Sequence, residues 1–114
     1  MTRRPIGGLE AAVMHVLWSS DVPRSTRDVL EELDSDLAYT TVMTVLNRLH
    51  GKGRVARELS GRTFLYSPVM SEAEAAAAAM LEALNAATDA ATVLQHFAGG
   101  LRSPEVAVLR QALG

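Results

Sequence analysis

Tyr39-Thr40-Thr41-Val42-Met43-Thr44-Val45-Leu46-Asn47-Arg48-Leu49-His50-Gly51-Lys52-Gly53 is the stretch that decides how this chain folds and what it can touch. At about 100° per residue, Val42, Val45, Leu46 and Leu49 fall within one stripe that must pack on a core. Thr40, Thr44 and Asn47 fall opposite, flanked by Thr41, Arg48 and Met43. An ordinary solvated helix face carries long charged residues that favour helix, whereas a run of β-branched Thr and an Asn gives up helix propensity. Short hydroxyls, an amide and methyl groups are what base edges and phosphates ask for, so this helix is expected to lie in a DNA groove.

Upstream, residues 8 to 19 read as a first helix, with Leu9, Ala12, Val13, Val16 and Leu17 in one stripe. Met14 and Trp18 lie off that stripe, so the helix is expected to be covered on more than one side. Asp21-Val22-Pro23 is a break, because Pro23 cannot continue a helix. Ser25-Thr26-Arg27-Asp28 resembles a capping box with Asp in place of Glu, opening a short helix to about Leu33 with Val29, Leu30 and Leu33 inward. Asp34-Ser35-Asp36 is a polar turn before the Thr-rich helix, which Gly51 and Gly53 end in the manner of a glycine cap. Downstream, residues 55 to 59 and 63 to 67 are strand-like runs joined by Ser60-Gly61-Arg62, a hairpin pattern. Three helices followed by a two-stranded hairpin is the order of a winged helix-turn-helix. A lone hairpin is marginal in water, so it must pack on the helices.

After Pro68 the composition changes. Ser71-Glu72-Ala73-Glu74 is a capping box opening an alanine-rich helix whose Ala77, Met80, Leu81 and Leu84 form a narrow seam. Val93, Leu94 and Phe97 suggest a second helix, ended by Gly99-Gly100. Ser103 as cap and Pro104 as first helical residue open a third, with Val106, Leu109 and Leu113 on one side. Three such short helices bury little surface alone, and a second copy of the chain would supply the missing core. The expected fold is mostly α with a small β-hairpin: a winged-helix DNA-binding domain over residues 1–69 and a helical dimerisation region over residues 70–114. The expected dimer contacts are Ala77, Met80, Leu81, Leu84, Leu94, Phe97, Val106, Leu109 and Leu113.

The net charge of −2 looks wrong for a partner made of phosphates. Its distribution is not: residues 39 to 66 hold Arg48, Lys52, Arg54, Arg57 and Arg62 against Glu58 alone, a local charge of +4, and the flanks on either side carry −3 each. Phosphates meet the local field, within a Debye length of roughly 8 to 10 Å. Thr40, Thr41, Met43, Thr44, Asn47, Arg48, Lys52, Arg57 and Arg62 are therefore the candidate DNA-contacting residues. Met43 could instead pack on Tyr39 or the wing, and Arg57 and Arg62 could simply blunt a sheet edge.

Other classes find no support. The chain has no cysteine, which excludes disulfides, thiolate metal sites and a cysteine nucleophile. His15, His50 and His96 lack ligand spacing, Gly7-Gly8 and Gly99-Gly100 lack that of a phosphate cradle, and no acid/base or nucleophile pattern is present. No enzyme, metal or cofactor is expected. The start Met1-Thr2-Arg3-Arg4-Pro5 leads into a stretch broken by Glu10 and His15, which argues against a signal peptide. No run approaches the roughly 18 to 20 apolar residues that cross a bilayer. A cytoplasmic protein with no membrane insertion is expected. The rival reading is a winged-helix module that binds a protein through the same face; DNA binding should weaken steeply with salt, and protein binding less so.

The residues also resemble a family, the penicillinase repressors of the BlaI/MecI type. The resemblance rests on Leu9-Glu10-Ala11-Ala12-Val13-Met14 with Leu17-Trp18, and on Tyr39-Thr40-Thr41-Val42 with Thr44, Leu46, Arg48-Leu49 and Lys52-Gly53. Arg62 to Pro68 and a tail from Ser103 to Leu113 also match, so the likeness covers nearly the whole chain. It implies a homodimer that docks two recognition helices on a palindromic double-stranded operator and represses a β-lactamase or another resistance or stress gene. It implies that Thr40, Thr41, Met43 and Thr44 face bases or nearby phosphates, that Arg48 contacts the backbone, and that Arg62 is the wing arginine. Family members are released by a membrane sensor-protease system that signals cleavage at an Asn-Phe bond, and His96-Phe97 stands at that place here. The copper-responsive branch carries a C-terminal cysteine cluster, which this chain lacks.

Overall fold

The computed structural model describes residues 6–33 and 36–114. The Met1 to Pro5 segment, and Asp34 and Ser35 of the expected polar turn, lie outside the described residues. The elements run α1 (Ile6–Trp18), α2 (Thr26–Glu32), α3 (Tyr39–Gly51), β1 (Val55–Ser60), β2 (Thr63–Pro68), α4 (Glu72–Ala86), α5 (Ala90–Gly99) and α6 (Ser103–Leu113). They form two compact units, residues 1–74 and 75–114.

The first unit is built on the apolar stripe of α3. Val42, Val45, Leu46 and Leu49 are all buried, against Val13, Met14 and Leu17 of α1, Val29 of α2, Val55 of β1 and Tyr66 of β2. Leu9, Val16, Trp18, Leu30, Leu33 and Leu37 pack around them. Burial of Met14 and partial burial of Trp18 mean that α1 is covered on two sides, as its sequence requires. The α1 helix starts two residues before the expected position and ends at Trp18. Trp18 Nε1 donates to the Met70 carbonyl at 2.9 Å, so the chain leaving the hairpin is tied back to α1.

Caps set the ends of these helices. The Ser25 hydroxyl accepts from the Asp28 N–H and the Asp28 carboxylate accepts from the Ser25 N–H, both at 3.1 Å, closing the reciprocal box at the start of α2. At the end of α3, the Arg54 N–H donates to the Leu49 carbonyl at 2.9 Å and the Gly53 N–H to the His50 carbonyl at 3.0 Å. This is a Schellman pair, with Gly53 at φ +74° in the left-handed position. The cap residue between helix and glycine is Lys52.

The hairpin pairs Val55 with Pro68, Arg57 with Tyr66 and Ser60 with Thr63, one residue longer at each far end than the sequence pattern suggested. That leaves a two-residue turn, Gly61-Arg62, with Gly61 at φ +65°, the positive first position of a II′ turn. Arg24 adds a short third rung: its N–H donates to the Tyr66 carbonyl at 2.9 Å and its carbonyl accepts from the Tyr66 N–H at 2.7 Å. α1 has already ended at Trp18, and the residue after Pro23 joins the sheet.

In the second unit no residue from 75 to 114 is buried. Ser71 and Glu74 form the reciprocal box that opens α4, at 2.9 and 3.1 Å. Asp89 caps α5 by accepting from the Thr92 N–H at 3.1 Å and the Thr92 hydroxyl at 2.6 Å. The start of α6 corrects the sequence reading: the cap is Arg102, and Ser103 is already helical with Pro104 second. The Glu105 carboxylate accepts from the Arg102 N–H at 2.8 Å and from its guanidinium at 3.0 Å, which stabilises a start one residue earlier.

Candidate nucleic-acid interface

The face of α3 opposite the core is open. Thr40, Thr41, Met43, Thr44, Asn47 and Arg48 are all exposed, and Met43 is 38% accessible. This face does little for stability. Truncating a buried leucine of the opposite stripe to Ala costs about 2 to 5 kcal/mol, whereas exposed substitutions usually fall within about 0.5 kcal/mol and Ala would favour the helix. A row of short polar groups that stability does not require is available for recognition.

Two side chains on that face have a defined partner, and so do cations beside it. Thr44 Oγ1 donates to the Thr40 carbonyl at 2.9 Å, so its proton is used inside the helix, leaving the oxygen as an acceptor. Asn47 Oδ1 accepts from Arg57 Nη1 at 3.0 Å, linking α3 to the hairpin. The Arg57 guanidinium also lies 4.2 Å from the centroid of the Phe64 ring. Arg62 occupies the exposed second position of the hairpin turn. Among the described residues, Arg48 and Arg62 enter no ion pair. Lys52 does, with Nζ 3.0 Å from both oxygens of Glu10.

The start of α3 is the other polar feature of the face. Its cap residue, Ala38, provides no side-chain hydrogen bond, and the first turn holds no acidic residue. The Thr41 and Val42 N–H groups donate to the Ala38 carbonyl at 3.1 and 3.3 Å, and the dipole of a helix start favours an anion. Beside it, the Arg27 guanidinium stands 5.6 Å over the ring of the exposed Tyr39. Sequence reading did not select Arg27 or Tyr39 as contacts. Arg27 sits twelve positions away on another helix, so spacing along the chain does not pair it with Tyr39.

Four carboxylates sit in helix-opening boxes and titrate below the usual range. The Ser25 N–H, then its hydroxyl and Arg24, lower Asp28. The Ser71 N–H and hydroxyl lower Glu74, the Thr92 hydroxyl and N–H lower Asp89, and the Arg102 guanidinium and N–H lower Glu105. They serve structure, and none lies on the open face of α3.

The expected dimer residues gather in part. Ala77, Met80, Leu81, Leu84, Leu94 and Phe97 line one open apolar groove of about 390 Å³. Phe97 and Leu109 line a second of about 360 Å³. Val106 is half-buried and Leu113 is 79% exposed, and neither borders these grooves. The His96-Phe97 bond lies inside α5, where both carbonyls accept from the Gly100 N–H. Among the described residues, no three His, Asp or Glu side chains gather as a metal site, and no helix is long and apolar enough to cross a membrane.

Comparison with known proteins agrees with this geometry. The sequence model of the penicillinase repressor family matches residues 6–114. The chain is 42% identical over 113 residues to the transcriptional regulator BlaI of Mycobacterium tuberculosis, in strains CDC 1551 and H37Rv, covering 95% of this chain and 82% of that protein. The solution structure of the DNA binding domain of the repressor BlaI superposes with a TM-score of 0.53 at 34% identity, covering 65% of this chain and 93% of that one. The chain belongs to the penicillinase repressor (BlaI/MecI) family of transcriptional repressors, which are not enzymes.

Proposed function

We propose that this DNA-binding repressor acts as a homodimer on a palindromic operator, in the cytoplasm, and blocks polymerase at the promoter of a β-lactamase or another resistance or stress gene. Residues 1–69 form the DNA-binding domain and residues 70–114 the dimerisation region. Two copies hold their α3 helices roughly 34 Å apart, one turn of duplex. The observation that carries this reading is the two-sided nature of α3: one face wholly in the core, the other an exposed row of Thr40, Thr41, Met43, Thr44, Asn47 and Arg48.

The roles divide by chemistry. Thr40, Thr41, Met43, Thr44 and Asn47 read bases or adjacent phosphates, Arg48 and Arg62 neutralise phosphates, and Arg57 and Lys52 support the reader from the hairpin and the helix end. Dimerisation draws on Met80, Leu81, Leu94, Phe97 and Leu109, whose exposure leaves α4 to α6 without a core of their own. Release by a sensor-protease would cut at His96-Phe97. That bond is helical, so cleavage requires local opening of α5.

The test is equilibrium binding of the full chain to duplexes from its neighbouring promoters over a range of salt. If roughly six or more phosphates are neutralised per dimer, log K falls by about 0.9 per phosphate for each unit of log[salt], and one promoter is preferred. A shallow dependence with no preferred duplex would instead mark a protein-binding module.

A further inference from the structure

We propose that Asn47 and Arg57 act as one donor-only unit that selects guanine over adenine at a single operator position. The inference rests on the operator reading above and names the chemistry of one of its contacts.

A guanidinium carries only N–H groups, so the Asn47 atom 3.0 Å from Arg57 Nη1 must be the amide oxygen. The free end of Asn47 on the exposed face of α3 is then the NH₂ group, with two donors. Arg57 is not free to swing away. Its guanidinium rests on the Phe64 ring at 4.2 Å, and its backbone pairs in register with Tyr66, which is 2% exposed. A lone asparagine reads adenine by donating to N7 while its oxygen accepts from the N6 amine. Here the oxygen already holds a cation, and an approaching N6 amine would meet guanidinium donors. Guanine presents two acceptors, N7 and O6, on the same edge, and both can be satisfied by Asn47 Nδ2 and the remaining N–H groups of Arg57.

The experiment selects duplexes from a randomised pool with the full chain and with Arg57→Ala, Asn47→Ala and Asn47→Asp. Each is followed by competition binding against duplexes that differ only at the affected position. The wild type is expected to hold guanine at that position by roughly 5- to 150-fold. Arg57→Ala should free the Asn47 oxygen and move the preference to adenine. Asn47→Asp keeps a partner for Arg57 but replaces outward donors by acceptors, and should lose the guanine preference, as Asn47→Ala should. A wild type with a clear operator whose Arg57→Ala variant keeps the same base at every position, with only weaker overall binding, would make Arg57 a phosphate contact and overturn this proposal alone. A wild type that selects no sequence at all would remove the operator reading together with it.

Discussion

Lys52 Nζ lies 3.0 Å from both carboxylate oxygens of Glu10, joining the end of α3 to α1 across 42 residues of sequence. The Glu10 side chain is only 14% exposed while Lys52 is 55% exposed, so the carboxylate is sheltered and the lysine leans in from solvent. A cation at a recognition-helix end reads, in sequence, as a phosphate contact. In the folded chain, its charge is already answered by its own protein.

The first prediction follows from that pair. Glu10→Gln should release Lys52 in both protomers, raise affinity for any duplex at low salt and steepen the slope of log K against log[salt] by about two per dimer. Fluorescence anisotropy at several salt concentrations measures it. An unchanged slope would mean that Lys52 engages phosphate even in the presence of Glu10.

Arg48 should behave as a phosphate contact without sequence information. Arg48→Ala is expected to weaken operator and scrambled duplex alike and to flatten the salt slope by about one per protomer, about two for the dimer. A change confined to which base is preferred would reassign Arg48 to the base edges.

Thr44 can be dissected by size and polarity. Its proton is bound to the Thr40 carbonyl at 2.9 Å, which leaves the methyl and an acceptor oxygen for the groove. Thr44→Val keeps the methyl and should retain most of the preference for thymine, whereas Thr44→Ala should lose about 1 kcal/mol of it, roughly 5-fold. Equal losses in both variants would assign the contact to the hydroxyl oxygen.

The dimer seam is tested by charge. Leu81 is 58% exposed and Leu84 half-buried on the same groove wall of α4. Leu81→Asp with Leu84→Asp should give a monomer by light scattering and reduce operator affinity through loss of the second half-site. A dimer that persists would place the interface elsewhere.

Stability should fall on the acid side. Asp28, Glu74, Asp89 and Glu105 all titrate below the usual carboxylate range, so their contribution is complete above it and lost as pH falls through the lowered values. Thermal melts followed by circular dichroism should be nearly flat from neutral pH to about pH 5 and drop below about pH 4. Ser25→Ala should cost about 1 kcal/mol at neutral pH and shrink the acid-dependent part, because it removes a partner of Asp28.

What the sequence conveyed was mainly periodic. The α3 stripe of Val42, Val45, Leu46 and Leu49 was readable because every member points the same way at helical spacing, and all four are buried. Ser25 with Asp28 and Ser71 with Glu74 were readable because a capping box is local. Met14 and Tyr66 joined the core without a period to announce them, since each is enclosed by elements distant in the chain. The pairs Lys52–Glu10, Asn47–Arg57 and Arg27–Tyr39 were not readable for the same reason: separation along the chain says nothing about which polar tips converge after folding. At α6, Ser103 and Pro104 fit a start signal that the Glu105 to Arg102 contacts shift by one residue.

Gly53 lies midway between the end of α3 and the start of β1, flanked by Lys52 and Arg54, and nothing lies within 4 Å of where a Cβ would be. Its requirement is therefore torsional: any side chain there would fit in space yet resist the φ of +74°, at a cost of order 1 to 3 kcal/mol. That one rotation aims the hairpin relative to the helix before it. The angle between helix and wing is in effect the setting of a hinge, calibrated at a residue that has no side chain.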